Sequence, residues 1–333
     1  MRCLLLSIYF VLTAVLQLIS WLSSPFVPLC LPRQTANNPA MFSIVYLYYK
    51  FLAFVIRRFI APEKNTQATP DDVYQIPSRD SGRTIKAHVY RNATASTGPT
   101  PVLINFHGSG FMLPRHGADD AFCRQMSHET DRTVLDVQYR LAPENPFPAA
   151  LNDAEDVAKW VLGQPEKFDP SRVSLSGFSA GGNLSLAAAA NLFSSDTFHS
   201  VLAVYPVVDL HTDPALKTAP DTSGRAIPAV ISKIFDRCYT HAAYDTRDPR
   251  ISPLYASADR FPARVMIVSA ACDNLAPEAE ALAEKIAKEP GKEVVRQRMQ
   301  SCNHGWDKSA RPGTVQADAR EKTYAMAAAM LSR

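Results

Sequence analysis

The 333-residue chain has little cysteine and arranges it in no pattern. Cys3, Cys30, Cys123, Cys238, Cys272 and Cys302 are scattered, and no two form a C-x-x-C pair. A zinc ribbon or a thioredoxin-like redox site is therefore excluded. The six are too few for a disulfide scaffold in a chain of this length, although one or two bridges would fit. Charge is also sparse, at 20% of residues, and there is no basic block, which argues against nucleic acid as a partner. Internal repeats and low-complexity tracts are absent. Acidic residues are missing from the first sixty positions, where Arg2, Arg33, Lys50, Arg57 and Arg58 give a local charge of +5. Taking that from the chain's net +3 leaves the remainder at −2.

Apolar residues are plentiful: 47% are hydrophobic, enough for a large buried core and against global disorder. Residues 3–22 are apolar apart from Gln17 and a few hydroxyls, about long enough to span a ~30 Å hydrocarbon core. Arg2 precedes this stretch and Trp21 closes it. No A-x-A-like cleavage site follows in SSPFVPLCLPR. The expectation is an uncleaved single-pass N-terminal anchor, a membrane location at the endoplasmic reticulum, and membrane lipid as a partner of the N-terminus. A cleaved signal peptide and a soluble hydrophobic arm are the rival readings. Residues 41–60 form a second apolar stretch, broken by Lys50 and ended by Arg57 and Arg58. They read as an amphipathic helix, lying on a membrane or capping a site, rather than a second span. The orientation signals disagree. The positive residues favour a cytosolic body. The sequon at Asn92, a candidate glycosylation site, favours a lumenal one. A second sequon, at Asn183, falls on a helix expected to be buried.

After Pro62, strands and helices alternate. Apolar runs at 101–106, 133–139, 172–178, 200–208, 264–271 and 294–299 read as strands, and 84–90 alternates like an edge strand. Helical spacing covers 151–162, 180–193, 276–288 and 314–332. The fold class is α/β: a mostly parallel central sheet with helices on both faces. Residues 209–260 break the rhythm, being rich in Asp, Pro and Thr with a short helical piece near 227–238. They read as an insertion that forms a helical cap with the N-terminal region. The expected layout is an anchor at 1–24, an N-terminal cap or membrane-associated region at 25–74, and a catalytic domain at 75–333 carrying the insertion.

Gly177-Phe178-Ser179-Ala180-Gly181 matches G-x-S-x-G. An apolar strand runs into it and an Ala-rich helix runs out, so Ser179 sits on a sharp turn that lifts its hydroxyl above the sheet. A serine hydroxyl needs a base, and the base needs an orienting acid. In such a sheet the acid and then the base follow the serine in the chain. Four histidines follow: His199, His211, His241 and His304. His199 is too close to the serine's helix, and His211 and His241 lie in the insertion. His304 follows a strand and is the candidate base. Asp273 follows the preceding strand and is the candidate acid. Its rival, Glu278, sits a turn into the next helix and suits a local structural contact. Strand 101–106 ends in His107-Gly108-Ser109-Gly110-Phe111, where adjacent small residues let backbone N–H groups converge. Gly108, Ser109, Gly110 and Ala180 are the candidate oxyanion-hole residues, with the N–H groups of Ser109, Gly110 and Ala180 as donors. His107 reads as a residue that fixes this loop by hydrogen bonding.

Together His107–Phe111, Tyr139–Glu144 (YRLAPE), Gly177–Gly182, Asp273-Asn274-Leu275 and His304-Gly305 resemble the hormone-sensitive-lipase family of α/β-hydrolases. The family's HGGG[FW], YRLAPE, GxSAGG, DxL and HG elements occur in order over about residues 75–333. The resemblance implies an α/β-hydrolase fold, a carboxylesterase acting on acyl esters without cofactor or metal, and a cap built partly from N-terminal helices. Carried over by position, Ser179 is the nucleophile, Asp273 the acid and His304 the base. Tyr139–Glu144 would hold the loops behind the oxyanion site, with Arg140 and Glu144 in ion pairs. One departure stands out: Ser109 replaces the middle glycine, keeping the N–H but adding a Cβ that restricts the backbone and narrows the acyl pocket. The anchored layout resembles arylacetamide-deacetylase-like members and small esterases that tailor lipophilic metabolites. The expected substrate is a lipophilic small-molecule ester. A catalytically silent binding protein on the same fold, or a transacylase or amidase using the same triad, are the alternatives. Neither the natural substrate nor the oligomeric state follows from these motifs.

Overall fold

A computed structural model describes residues 39–60, 68–92, 98–240 and 244–333. The chain divides into two units, Met1–Val45 and Tyr46–Arg333. Nearly all of the first lies outside the described residues. Helix α1, Pro39–Val55, has 17 residues and passes into a short π-helical turn, Ile56–Ile60.

The membrane location expected above is corrected here. Among the described residues, no helix is long and apolar enough to cross a membrane. At ~1.5 Å per residue, a helix the length of α1 reaches only about 25 Å, short of the hydrocarbon core. Residues 3–22 lie outside the described residues. One face of its C-terminal part packs on protein: Leu52 and Ala53 of α1 and Ile56 of the turn that follows are buried in the main apolar cluster, while Phe54 is exposed.

Eight strands form one sheet in the order β1-β2-β4-β3-β5-β6-β7-β8. They are β1 Asp72–Pro77, β2 Thr84–Tyr90, β3 Thr100–Phe106, β4 Thr133–Val137, β5 Phe168–Phe178, β6 Ser200–Val204, β7 Arg264–Ala270 and β8 Glu293–Met299. β2 runs antiparallel to both β1 and β4, and the neighbours from β4 through β3 to β8 are parallel. β4 and β6 are buried along their whole length, which explains their continuous apolar sequences. The expectation that 84–90 is an edge strand is also corrected. β1 covers β2, and β1 escapes notice because Ile76 is its one buried residue.

Among the described residues six further α-helices follow: α2 Asp120–Glu129, α3 Ala149–Leu162, α4 Ala180–Asn191, α6 Ala276–Ala287 and α7 Val315–Leu331 pack on the sheet, and α5 Ala229–Tyr239 lies in the insertion. Two apolar clusters divide them. One joins α3, α4 and α6 through Leu151, Leu184 and Leu282, and takes in Leu52 of α1 and Ile234 of α5. The other joins α2 and α7 through Phe122, Met126 and Leu331. Helix α2 is missing from the sequence reading. Its buried positions, Phe122, Cys123, Met126 and Ser127, include one that is polar, and its mean hydropathy is low.

The four cysteines among the described residues, Cys123, Cys238, Cys272 and Cys302, are all free and buried. Asn183 is buried, its amide donating to the carbonyls of Val207 and Ile251, both at 2.9 Å. The Asn92 amide nitrogen, the atom a glycan would occupy, donates to Asp131 Oδ1 at 2.8 Å.

Candidate active site

One residue separates β5 from α4, and that residue is Ser179, with φ 53° and ψ −116°. Few L-residues adopt this backbone, so the surrounding packing must hold it there. The glycines around it make the turn sterically feasible. A Cβ on Gly177 would collide with the Gly181 carbonyl, and one on Gly181 with the Phe106 carbonyl. The strand, the helix and the neighbouring strand therefore meet backbone to backbone. Ser179 N–H donates to Val204 O on β6 at 2.9 Å, which ties the turn to the sheet.

Asp273 follows β7 and His304 follows β8, so adjacent parallel strands deliver both to the same end of the sheet. The two loops are tied by Cys272 N–H donating to Cys302 O at 2.9 Å. His304 Nδ1 lies 2.6 Å from Asp273 Oδ2, and His304 Nε2 lies 2.9 Å from Ser179 Oγ. A carboxylate only accepts, so Nδ1 carries the proton and the Nε2 lone pair faces the serine hydroxyl. Asp273 is buried, and its other oxygen accepts from Leu275 N–H at 3.1 Å. The Tyr205 ring packs edge-on against the imidazole at 4.8 Å between centroids.

Gly108, Ser109 and Gly110 line the same cavity as Ser179 and His304. Ala180 is fully buried as the first residue of α4, where a helix leaves its N–H groups without intrahelical partners. In the loop 107–111 only Gly110 (φ 55°) and Phe111 (φ 59°) take positive φ. Ser109 thus carries its Cβ without left-handed strain, which is why serine is tolerated where the family has glycine. Its hydroxyl lies 2.7 Å from Tyr139 Oη, and Tyr139 in turn donates to the His107 carbonyl at 2.6 Å. With the tyrosine proton committed to His107, Ser109 must donate to Tyr139. This relay pins the loop from behind, and the Ser109 oxygen is directed toward Tyr139. His107 stacks on Tyr139 at 4.5 Å, and burial pushes its imidazole down to about 4. It is therefore a neutral packing residue at ordinary pH.

The ion pairs expected of the YRLAPE segment are present. Arg140 grips Asp153 through Nε and Nη2, at 3.0 and 2.8 Å to Oδ1. Glu144 receives both Arg57 nitrogens, at 3.0 and 2.9 Å. Glu278, the rival acid, instead accepts from the N–H groups of Val208 and Asp209 and pairs with Lys217 at 2.5 Å.

Sequence reasoning missed a polar network beneath the site. Lys308 Nζ reaches Asp119 at 2.6 Å and Asp307 at 2.7 Å, and lies 3.6 Å above the Phe178 ring, next to the serine. Tyr205 and Tyr324 both donate to Asp307, at 2.6 and 3.1 Å. Its members come from distant parts of the chain, and no local motif marks them. A second polar group joins His88, His116 and Asp136, whose ligand-type atoms lie within 4.8 Å of one another. The two imidazoles lie 4.0 Å apart between centroids with their planes tilted by 38°. Both Asp136 oxygens already accept, from Asn105 at 2.9 Å and Gly117 N–H at 3.1 Å. This trio fits a packed polar core better than a metal centre.

The family model for the alpha/beta hydrolase fold matches residues 103–308. Carboxylic ester hydrolase LipN of Mycobacterium tuberculosis is 32% identical over 233 residues, covering 67% of this chain and 61% of LipN. Versiconal hemiacetal acetate esterase of Aspergillus parasiticus is 34% identical over 119 residues, 36% of this chain and 37% of that enzyme. The chain thus matches less than two thirds of the length of either relative. A solved hyperthermophilic esterase from the archaeon Pyrobaculum calidifontis superposes with a TM-score of 0.69 at 25% identity, over 87% of this chain and 92% of that one. The motif order, the strand order and these matches agree: the chain belongs to the α/β-hydrolase fold family, within its hormone-sensitive-lipase-like branch of carboxylic ester hydrolases.

Proposed function

We propose that this chain hydrolyses esters of small lipophilic molecules through an acyl-enzyme on Ser179. The observation that carries the reading is the hydrogen-bonded line Asp273–His304–Ser179, at 2.6 and 2.9 Å, opening on a cavity of about 420 Å³. Phe111, Leu113, Val207, Ile227, Phe235 and Leu275 give that cavity a largely apolar wall of a size suited to small ligands.

In this reading His304 Nε2 takes the hydroxyl proton as Ser179 Oγ attacks the ester carbonyl. Asp273 holds the imidazole in the required tautomer and stabilises the imidazolium. The carbonyl oxygen gains negative charge and accepts from the N–H groups of Ser109, Gly110 and Ala180. Each such donor is worth roughly 3 kcal/mol in the transition state. His304 then protonates the departing alkoxide, water enters by the same route, and the acid leaves. The domain reading follows: residues 75–333 carry the catalysis, and α5 in the insertion, with the N-terminal helix, forms the cap.

The acyl group is small. Phe235 of α5 closes over Gly110 so tightly that a Cβ there would fall 2.7 Å from its ring. The Aspergillus relative is named for an acetate ester, which agrees with a deacetylase that tailors a small metabolite. Purified protein given p-nitrophenyl esters of increasing acyl length tests this. Turnover should be highest for the shortest chains and vanish in Ser179→Ala. No turnover of any ester, or undiminished turnover in that variant, overturns the reading.

A further inference from the structure

Helix α5 contributes Ser232, Phe235 and Asp236 to the wall of the cavity that holds Ser179 and His304. Spacings of three and four residues place them on one helix face. Phe235 presses on Gly110, so this face stands beside the oxyanion loop. The wall is largely apolar but also carries Arg115, Lys217 and Lys308, and Asp236 is the one carboxylate among its described residues.

Asp236 is part-buried in the cavity wall, and no donor among the described residues hydrogen-bonds to its carboxylate. Lys217, the cation that acts on it most strongly, is committed elsewhere: it pairs with Glu278 at 2.5 Å and donates to the Asp209 carbonyl at 2.5 Å. Glu278 and Asp209 add negative charge nearby, and Arg237, next in the chain, points a charge from an exposed position. Burial pushes the Asp236 carboxyl up to about 7, against the pull of Lys217. A carboxylate in such a wall with no protein donor meets only solvent in the free protein, so a donor on an entering molecule finds its oxygens available. Its position in the cavity wall says where that partner arrives. Ser232, one turn earlier, offers a second polar contact on the same face.

The geometry points to Asp236 as a specificity residue that accepts a hydrogen bond from a hydroxyl or amino group on the ester entering the cavity. This rests on the esterase reading and adds to it: the preferred substrate carries a donor beyond the ester group, and a plain hydrocarbon ester does not satisfy the site.

The test uses the full chain and two matched panels. One panel is p-nitrophenyl alkanoates of graded length, each plain, ω-hydroxylated or ω-aminated. The other is acetates of graded alcohols with the same three ends. At its best length, the wild-type protein should favour a donor-bearing ester over its plain counterpart by about tenfold or more in kcat/KM, as a hydrogen bond to a charged group predicts. In Asp236→Ala that ratio should fall to about one. In Asp236→Asn, which keeps the shape and removes the charge, the amino arm should lose its preference and the hydroxyl arm should keep part of it. The asparagine variant carries the test if the alanine variant does not fold. A preference confined to the amino arm identifies an ammonium partner, and one shared by both arms a neutral donor. Plain esters turned over with no donor preference at any length, or a preference that survives both substitutions, overturns the proposal and leaves the esterase reading intact. No turnover of any ester overturns the esterase reading itself.

Discussion

At the scale of single residues the site is a set of committed hydrogen bonds, each with a consequence. Asp273→Asn would keep the shape and present the wrong partner to His304 Nδ1. Turnover of a short ester should fall about 10⁴-fold with little change in KM, as expected when the imidazole tautomer is lost. The Ser109–Tyr139–His107 relay predicts a smaller, separable effect. Tyr139→Phe removes the proton held by the His107 carbonyl and the acceptor used by Ser109. Breaking the relay should lower kcat about fivefold, the worth of roughly 1 kcal/mol, with KM steady. Steady-state kinetics on one ester measures both variants. An unchanged kcat in Tyr139→Phe would mean the loop holds its shape without the relay.

At the scale of elements, the site depends on how α5 meets the oxyanion loop. Gly110 has φ 55° and lies against the Phe235 ring. Gly110→Ala adds a Cβ at a strained backbone position and into an occupied space. It should cost at least about tenfold in kcat/KM, and Phe235→Ala in the same chain should restore part of it by making room. A double variant no better than Gly110→Ala alone would show that backbone strain, and not the ring, sets the cost.

The same contact shows what a sequence reveals. Ser179, Asp273 and His304 stand out in the sequence as candidates because Ser179 and Asp273 follow apolar strands, His304 follows the more polar β8, and parallel strands deliver their ends to one place. The motif glycines were legible because close backbone approach admits no other residue. Strand β1 and helix α2 were not, since one buried isoleucine and a mixed polar and apolar face leave no clean period. The Lys308–Asp119–Asp307 network and the exposure of Asp236 to the cavity were also hidden. Their partners lie far apart in the chain, and local spacing holds no trace of such contacts. The apolar N-terminal stretch misled in the other direction. A helix's hydrophobicity does not say what covers it: in α1, Leu52 and Ala53 are buried against protein while Phe51 and Phe54 are exposed.

At the scale of the whole molecule, buried titratable groups set opposing responses to pH. Burial holds His107 down at about 4 and His116 at about 3, below the ordinary 6.5. A histidine held below its unfolded value contributes stability that is present above pH 6.5 and is lost as pH falls toward the folded value. Asp236 and Glu278, both pushed up to about 7 by burial, act in the opposite sense. Their contribution is present below about pH 4 and is lost as pH rises through 7. Replacing one histidine isolates one arm. As pH drops from 7.5 to 4.5, the wild-type protein should lose stability relative to His107→Gln by up to about 3 kcal/mol, read from urea midpoints at the two pH values. Parallel curves would contradict a neutral buried His107.

The whole account turns on a covalent bond between substrate and Ser179. Mass spectrometry of the intact protein after brief exposure to a fluorophosphonate, followed by peptide mapping, tests that bond most directly. The account predicts one added phosphonyl group, located on Ser179, with no labelling in Ser179→Ala and strongly slowed labelling in His304→Ala. Labelling of another residue at the same rate, or an unlabelled protein that still hydrolyses esters, would contradict it.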